Sequence, residues 1–407
     1  MQYRILVVED SPVVLKVLKH LVSQSQEFEP VLCSCYKEAE EKLAEGESFF
    51  ASIVDLNLPD AENGEIVDLV LEQKIPCIVL TGNFDDSLRV GLLNKGVLDY
   101  VTKESRYSFN HVMKVVNRLK KNQDIKVLVA EDSSTSRLFI KILLEQYRFN
   151  VIEANDGQEA LAKLEADSEI KMLITDHNMP VVNGYDLVRM LRRNIRFQDL
   201  VIIGLSAEGD TSLSAKFIKS GANDFLKKPF YHEEFHCRVI SNLESQEMLE
   251  TIRDLANLDP LTKLYNRRYL FEEGEALYQK GAVAAVLDLD FFKKVNDTYG
   301  HFVGDELLKE FSSLLIDVFN DALIARFGGE EFCLISALSV DEVVGKLDEF
   351  MDLVRGRTFT TAEVSVTCSI GVCSEQQSTL GEAVNLADNY LYDAKRTGRD
   401  RIVLSEE

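Results

Sequence analysis

Residues 4–11, RILVVEDS, and residues 126–133, KVLVAEDS, are near copies set 122 positions apart. Each is an apolar run of strand length closed by two adjacent acids, and each leads into a helical pattern, PVVLKVLKHLV or STSRLFIKILLEQY. Three further features follow each copy in the same order. A buried-strand pattern ends in one Asp and a turn, ASIVDLNLPDAENG around Asp55 and KMLITDHNMPVVNG around Asp176. Next an apolar strand ends in a hydroxyl, PCIVLTG at Thr81 and VIIGLSA at Ser206, and last comes a Lys, GVLDYVTK at Lys103 and GANDFLKKP at Lys228. Strands alternating with helices, with the polar residues at strand C-termini, predict a doubly wound parallel sheet made twice, with a site at that edge.

The residue types at that edge specify a chemistry. Adjacent acids plus a third Asp can hold Mg²⁺, a hard cation that takes oxygen ligands. The third Asp can then attack a phosphoryl donor while metal, hydroxyl and Lys neutralise the developing charge. One acid pair alone would read as helix capping in a flavodoxin-like domain; the ordered set found twice reverses that. Both copies resemble the receiver domains of two-component response regulators, over residues 1–121 and 124–240. The resemblance implies a flavodoxin-like, CheY-like fold, phosphoacceptors at Asp55 and Asp176, and one Mg²⁺ per phosphorylatable receiver. It makes Glu9, Asp10, Glu131 and Asp132 the metal acids together with Asp55 and Asp176. Thr81 with Lys103, and Ser206 with Lys228, become the switch pairs, with Tyr100 and Phe225 as the aromatics that report phosphorylation. The second copy continues as Lys228-Pro229-Phe230, whereas the first reads TKES and has an unusual LPDAENG loop. Each quintet is complete, so the sequence does not name the phosphorylated copy; Asp55 is the expected primary input.

Composition bounds the rest. A chain of 407 residues with 46% apolar and 28% charged content predicts two to three soluble domains. No apolar run reaches the length of a membrane span, and Met1 to Asp10 lacks the basic flank and cleavage site of a signal peptide, so a cytoplasmic protein without membrane insertion is expected. Seven cysteines without a CxxC pair predict buried reduced thiols. A formal charge of −23 repels nucleic acid and anionic lipid, which argues against a DNA-binding output.

From Cys237 to Leu258 the apolar spacing predicts an amphipathic helix without Pro or Gly, whose first half packs on the second repeat and whose second half, 241–258, projects as a rigid connector. The last third, 259–407, carries scattered pieces. LDPLTKLYNRRYL (258–270) is expected to start a helix at DPLT, with Asp259 as N-cap and Pro260 in the first turn. AVAAVLDLDFFKKVNDTYGHFVGDELL (282–308) is a buried strand into Asp288 and Asp290, then a turn into a helix. RFGGEEFCLI is a strand pair joined at glycines, VSVTCSIGVC (364–373) a strand, and NLADNYLYDAKRTGRDRIVL (385–404) a helix with a basic end. Taken together, carboxylates on neighbouring strand ends, glycines that admit a ligand and a separate cationic cluster are parts of metal-assisted phosphoryl chemistry. Glu330 and Glu331 stand side by side and repel unless something positive lies between them, and Mg²⁺ is the expected cation.

These motifs, in this order and spacing, closely resemble the GGDEF family of diguanylate cyclases, and the whole layout resembles PleD-type response regulators. The resemblance implies an α+β, palm-like nucleotidyl-cyclase domain with a central, mostly antiparallel sheet. It makes Asp288, the Leu289 carbonyl and Glu331 ligands of Mg²⁺, two ions per cyclase site, with Glu330 as general base or additional ligand. Asn296 and Asp305 read the guanine edge, Lys293, Lys395 and Arg399 contact the triphosphate with the backbone of Phe291 and Phe292, and His301 joins the GTP site. The implied reaction condenses two GTP into cyclic di-GMP and two pyrophosphates across a homodimer, under control of a cognate histidine kinase or phosphotransfer protein. The rival reading is a catalytically idle GGDEF domain that senses GTP or docks a partner; no acidic motif residue or guanine reader is lost here. The inhibitory RxxD motif of many members is absent, with Phe319 and Ala322 in place of its Arg and Asp, so product inhibition through that site is expected to be lost or weakened.

Overall fold

The computed structural model describes residues 2–82, 85–103, 106–206, 211–360 and 362–404. The chain divides into two compact units, Met1–Glu247 and Met248–Glu407. In the first unit, the first repeat builds β1 (Tyr3–Val8), α1 (Pro12–Ser23), β2 (Phe28–Cys33), α2 (Tyr36–Ala44), β3 (Ala51–Asp55), α3 (Glu65–Glu72), β4 (Cys77–Thr81), α4 (Asp86–Lys95), β5 (Asp99–Thr102) and α5 (Arg106–Asn122). The second repeats the order with β6 (Lys126–Ala130), α6 (Ser134–Gln146), β7 (Asn150–Ala154), α7 (Gly157–Ala166), β8 (Ile170–Asp176), α8 (Gly184–Arg192), β9 (Val201–Ser206), α9 (Thr211–Lys219), β10 (Asp224–Lys227) and α10 (His232–Asn257).

Among the described residues each repeat forms a five-stranded sheet, ordered β2-β1-β3-β4-β5 and β7-β6-β8-β9-β10, and every pairing is parallel. This is the predicted flavodoxin-like order. Helices cover both faces, and β3, β4 and β9 are buried along their whole length, as parallel strands between helical layers must be. One apolar core runs through both repeats, joining Val112, Val116 and Leu119 of α5 to Ile140, Leu143 and Leu144 of α6 and Val239 and Leu243 of α10.

Helix α10 is continuous through position 240, where a connector was expected to begin. Its first half buries Phe235, His236, Val239 and Leu243, whereas Met248, Leu249, Ile252 and Leu255 are each more than half exposed.

The second unit builds β11 (Tyr265–Asn266), α11 (Arg267–Tyr278), β12 (Val283–Leu289), α12 (Phe292–Tyr299), α13 (His301–Val318), β13 (Leu323–Gly328), β14 (Glu331–Ser336), α14 (Val340–Gly356), β15 (Cys368–Cys373), α15 (Leu380–Arg396) and β16 (Ile402–Leu404). Its sheet runs β11-β13-β14-β12-β15-β16, antiparallel through the centre and parallel only at the two outer pairs. Separate apolar clusters fill its two faces, one under α13 and α14 and one under α11 and α15. The expected α+β layering is therefore present.

Two local expectations are corrected. DPLT starts no helix: Asp259 Oδ1 accepts from the Thr262 N–H and hydroxyl as an N-cap would, but Lys263 takes φ 61° and the Asp259 N–H bonds the Leu264 carbonyl, closing a turn. The helix begins at Arg267, capped by Asn266, whose side chain accepts from the Tyr269 N–H at 3.0 Å. Strand β15 begins at Cys368 rather than at Val364, because Val364 pairs with Phe359 across a turn in which Thr360 and Glu363 have positive φ. All seven cysteines are free thiols, five of them buried. Among the described residues no helix is long and apolar enough to cross a membrane.

Candidate functional site

At the C-terminal edge of each parallel sheet the predicted quintet assembles. The carboxylate oxygens of Glu9, Asp10 and Asp55 lie within 4.8 Å of one another, and so do those of Glu131, Asp132 and Asp176. In both sets the second acid is exposed and the other two are buried. Lys103 Nζ sits 2.7 Å from Glu9 and 2.6 Å from Asp55; Lys228 Nζ sits 2.5 Å from Glu131 and 2.6 Å from Asp176. The backbone sets this geometry, since Lys103 N–H donates to the Thr81 carbonyl and Lys228 N–H to the Ser206 carbonyl, both at 2.8 Å. The Thr81 and Ser206 hydroxyls are buried beside them, and Tyr100 and Phe225 point inward.

Burial is the largest influence on Glu9 and pushes its carboxyl up, against the hydrogen bond and charge of Lys103 and with the help of Asp55. Glu131 is raised for the same reasons by its own burial and Asp176, against Lys228. Burial also works against the charge of Lys228, but hydrogen bonds to Asp176 and Glu131 outweigh it and hold the ammonium above the ordinary lysine range. Three carboxylates around one ammonium leave surplus negative charge on hard oxygen donors, a set that fits Mg²⁺. Both quintets are complete, and their geometry does not distinguish the copies.

In the second unit the turn between β13 and β14 is made by Gly328 (φ 149°) and Gly329 (φ 56°), a backbone path that favours glycine. The β12–β14 register sets Asp288 directly opposite Glu331, on the same face of the sheet, and Leu289 N–H donates to the Glu330 carbonyl. Asp288 is buried, and its carboxyl is pushed up to about 6, first by burial and then by the charges of Glu330 and Glu331, against Lys395. Lys395 Nζ lies 2.7 Å from Asp288 Oδ2. Among the described residues only the two quintet sets bring three carboxylates within 4.8 Å of one another; Asp288, Glu330 and Glu331 do not form such a cluster. The cation paired with Asp288 is thus an ammonium from α15. The donors remain hard oxygens with excess negative charge, so they fit Mg²⁺ once Lys395 moves away.

The expected nucleotide readers sit on the corner between α12 and α13. A Cβ on Gly304 would lie 2.0 Å from Asn296 Oδ1, so the missing side chain is what lets α12 and α13 close and brings Asn296 near Asp305, the residue after Gly304. His301 opens α13, and His301, Asp305 and Lys293 are exposed. Phe291 and Phe292 part company: Phe292 is buried in the core, while Phe291, at φ 58°, is exposed with the Arg399 guanidinium 4.5 Å above its ring. At the position of the missing inhibitory Arg, Phe319 is buried beneath the Lys346 ammonium, and Ala322 packs against the same core.

Two residues of this site carry no role in the sequence reading. Arg326 donates through Nε and Nη2 to the Gly329 carbonyl and through Nη1 to Asp259 Oδ1, which ties the glycine turn to the turn after α10. Asp290 is buried and is bound by the Thr367 and Ser369 hydroxyls. The i, i+2 spacing of Asp288 and Asp290 suggests two carboxylates on one face, and Ser369, opposite Asp288 in the β12–β15 register, does bond Asp290; what the sequence does not show is that Asp288 faces Glu331 of β14 while Asp290 is held by Thr367 and Ser369.

Comparisons with known proteins agree with this architecture. The model of the response regulator receiver domain matches residues 5–116 and 127–240, and that of the diguanylate cyclase, GGDEF domain matches residues 256–401. The response regulator PleD of Caulobacter vibrioides is 29% identical over 303 residues, covering 68% of this chain and 65% of that protein. Diguanylate cyclase DgcP of Pseudomonas aeruginosa is 40% identical over 165 residues, 38% of this chain and 25% of its own length. The chain thus spans less than two thirds of the length of both relatives. A crystal structure described as a two-component system response regulator/GGDEF domain protein aligns over 60% of this chain and 100% of its own, with 41% identity and a TM-score of 0.53.

Proposed function

The chain belongs to the response regulators in which receiver domains precede a GGDEF domain, and from that premise we propose that it is a phosphorylation-regulated diguanylate cyclase. We read 1–121 and 124–240 as receivers, 241–258 as the connecting part of α10, and 259–407 as the cyclase. Each cyclase domain binds one GTP, and two domains of a homodimer face each other. The 3′-hydroxyl of one GTP attacks the α-phosphate of the other; the new P–O bond forms as the bond to pyrophosphate breaks, and two such attacks yield cyclic di-GMP.

In this reading Asn296 and Asp305 hold the guanine edge, and His301 lies beside them. Lys293, Lys395 and Arg399, with the Phe291 and Phe292 backbone, hold the triphosphate and the leaving pyrophosphate. Glu330 accepts the hydroxyl proton or adds a ligand, and Asp288, the Leu289 carbonyl and Glu331 hold Mg²⁺. Bound there, Mg²⁺ neutralises charge on the α-phosphate and eases deprotonation of the attacking hydroxyl. Lys395 leaves Asp288 for the triphosphate when GTP enters, so one ammonium serves both states. Asp55 and Asp176 accept phosphoryl groups from a histidine kinase or phosphotransfer protein, and the gain in activity is a shift towards the productive homodimer.

The observation that carries this reading is the cross-strand pair Asp288 and Glu331 beside a two-glycine turn, with the Lys395 ammonium on Asp288. The test is incubation of the purified protein with Mg²⁺ and GTP, with and without acetyl phosphate, followed by chromatography. Cyclic di-GMP that increases with acetyl phosphate is expected; none in either state would leave the idle, GTP-sensing domain.

A further inference from the structure

Asp290 is nearly inaccessible to solvent, with 3% of its surface exposed. Its Oδ1 accepts from the Ser369 hydroxyl at 2.7 Å; its Oδ2 accepts from the Thr367 hydroxyl at 2.7 Å and from the Asp400 N–H at 3.1 Å. Arg399 brings a cation near it, with Nε 3.8 Å from Oδ1. The hydroxyls could also accept, but the Asp400 N–H at Oδ2 and the Arg399 guanidinium near Oδ1 can only donate, so a carboxylate suits this position where an amide would turn its NH₂ group towards one of those two.

The segment it holds has an unusual backbone. Gly398, Arg399 and Asp400 have φ of 129°, 63° and 51°, and two of the three are L-residues in the left-handed region. Such a corner persists only where surrounding bonds fix it. Asp290 supplies one such bond to the Asp400 N–H, and Arg355 supplies others, to the Asp400 carboxylate at 2.9 Å and carbonyl at 3.2 Å. The outcome is an Arg399 guanidinium parked over Phe291.

We propose that Asp290 is a positioning residue for the nucleotide: through the Asp400 amide and Arg399 it fixes the corner that aims Arg399 at the triphosphate. It is not a ligand of the metal. This rests on the reading above in which GTP occupies this domain. Of the two acids in the DLD run, Asp288 then serves the metal and Asp290 serves the cation.

The test uses the full chain with Mg²⁺, comparing wild type, Asp290→Asn, Arg399→Ala and the double variant. Binding is read with a fluorescent GTP analogue, and turnover by steady-state kinetics. Asp290→Asn should weaken analogue binding and raise KM about tenfold, with kcat within about twofold. The double variant should bind no more weakly than Arg399→Ala alone, since both changes remove one interaction. An unchanged Kd with a fall in kcat, a raised Mg²⁺ requirement, or losses that multiply in the double variant would each overturn the proposal. Should Asp290→Asn unfold, Thr367→Val removes one donor and leaves the carboxylate; a smaller rise in Kd that vanishes in the Arg399→Ala background is then expected, and additive losses count against it. A wild-type protein that binds the analogue but makes no cyclic di-GMP ends the cyclase reading and leaves the binding cycle decisive here. One that binds no GTP analogue ends both.

Discussion

Lys395 Nζ lies 2.7 Å from Asp288 Oδ2, so the residue expected on the triphosphate rests on the residue expected on the metal. The pair is electrostatically sensible: Asp288 is buried beside two glutamates, and Lys395 is what opposes the resulting rise of its carboxyl to about 6. Removing the ammonium removes a hydrogen bond and a charge that both lower that value, so Asp288 must rise further. The Lys395→Met protein should therefore show an acidic limb of kcat/KM displaced to higher pH, together with a KM for GTP raised by about tenfold or more. A pH profile that stays in place would mean that Asp288 and Lys395 are not coupled in the working enzyme.

Arg326 bridges the Gly329 carbonyl and Asp259. Burial pushes the Asp259 carboxyl up, but the Thr262 amide and hydroxyl and Arg326 outweigh it and hold it below the usual range. Arg326→Lys keeps the charge and loses the fork, and should cost about 1–2 kcal/mol of stability and about tenfold in turnover. Thermal unfolding and initial rates check both numbers. If Asp259→Ala and Arg326→Ala prove additive, the bridge is not what matters.

Receiver control should depend chiefly on Asp55. Residues of α4 and α5 in the first repeat hold α10 of the second at both ends of its buried half: Arg89 pairs with Glu233, the Leu93 carbonyl meets His232 Nδ1 at 3.3 Å, and Arg118 pairs with Glu247 at 2.7 Å. A change around Asp55, Thr81 and Tyr100 thus reaches α10 without passing through Asp176. Asp55→Asn should abolish most of the stimulation by acetyl phosphate, and Arg118→Ala should blunt it while leaving unstimulated turnover within about twofold. Stimulation lost only in Asp176→Asn would assign the input to the second repeat.

The repeats were legible because their chemistry follows a simple order: apolar strand, then polar residue, with the same spacing twice. Lys103 and Lys228 illustrate this, each landing on its two acids through a backbone bond that the parallel register dictates. The cyclase motifs were legible as residue types but not as partners. Whether Lys395 meets phosphate or Asp288 depends on what fills the site, and the place of Asp290 depends on the hydroxyls of Thr367 and Ser369, 77 and 79 residues further along the chain. DPLT misled for a related reason: Asp259 makes the bonds of an N-cap, and only the left-handed Lys263 stops the helix.

Phe319 cannot be converted into the missing inhibitory arginine by a single change. It is 2% exposed inside the core of the second unit. Phe319→Arg loses its packing and buries a charge, and should cost about 3–5 kcal/mol. The expected result is a lower unfolding temperature with no gain of inhibition by added cyclic di-GMP, measured as residual turnover. Wild-type turnover should likewise be insensitive to its product; strong inhibition at micromolar product would mean that another surface binds it.

His236 should make the first unit sensitive to mild acid. It lies between α10 and α6, 8% exposed, with Nε2 2.9 Å from the Leu143 carbonyl and its ring 4.0 Å from that of Tyr147. The neutral ring, protonated on Nε2, donates that bond. Burial pulls its pKa down to about 4; the Leu143 carbonyl opposes this and His232 adds to it. The folded value is therefore depressed below that of the unfolded chain, about 6.5 for an ordinary imidazole. Above that pH the group contributes nothing pH-dependent. As pH falls towards 4, the unfolded chain takes up a proton that the folded chain refuses, and about 3 kcal/mol of stability drains away across that window. Carboxylates also lose their pairs in acid, so the informative quantity is a difference. His236→Phe lacks the donor to Leu143 and should be less stable than wild type at neutral pH by about 1 kcal/mol. It also lacks the proton acceptor, so its urea midpoint should fall less steeply between about pH 6.5 and 4.5, and the two curves should converge or cross. Parallel curves would show that His236 keeps the same proton affinity folded and unfolded.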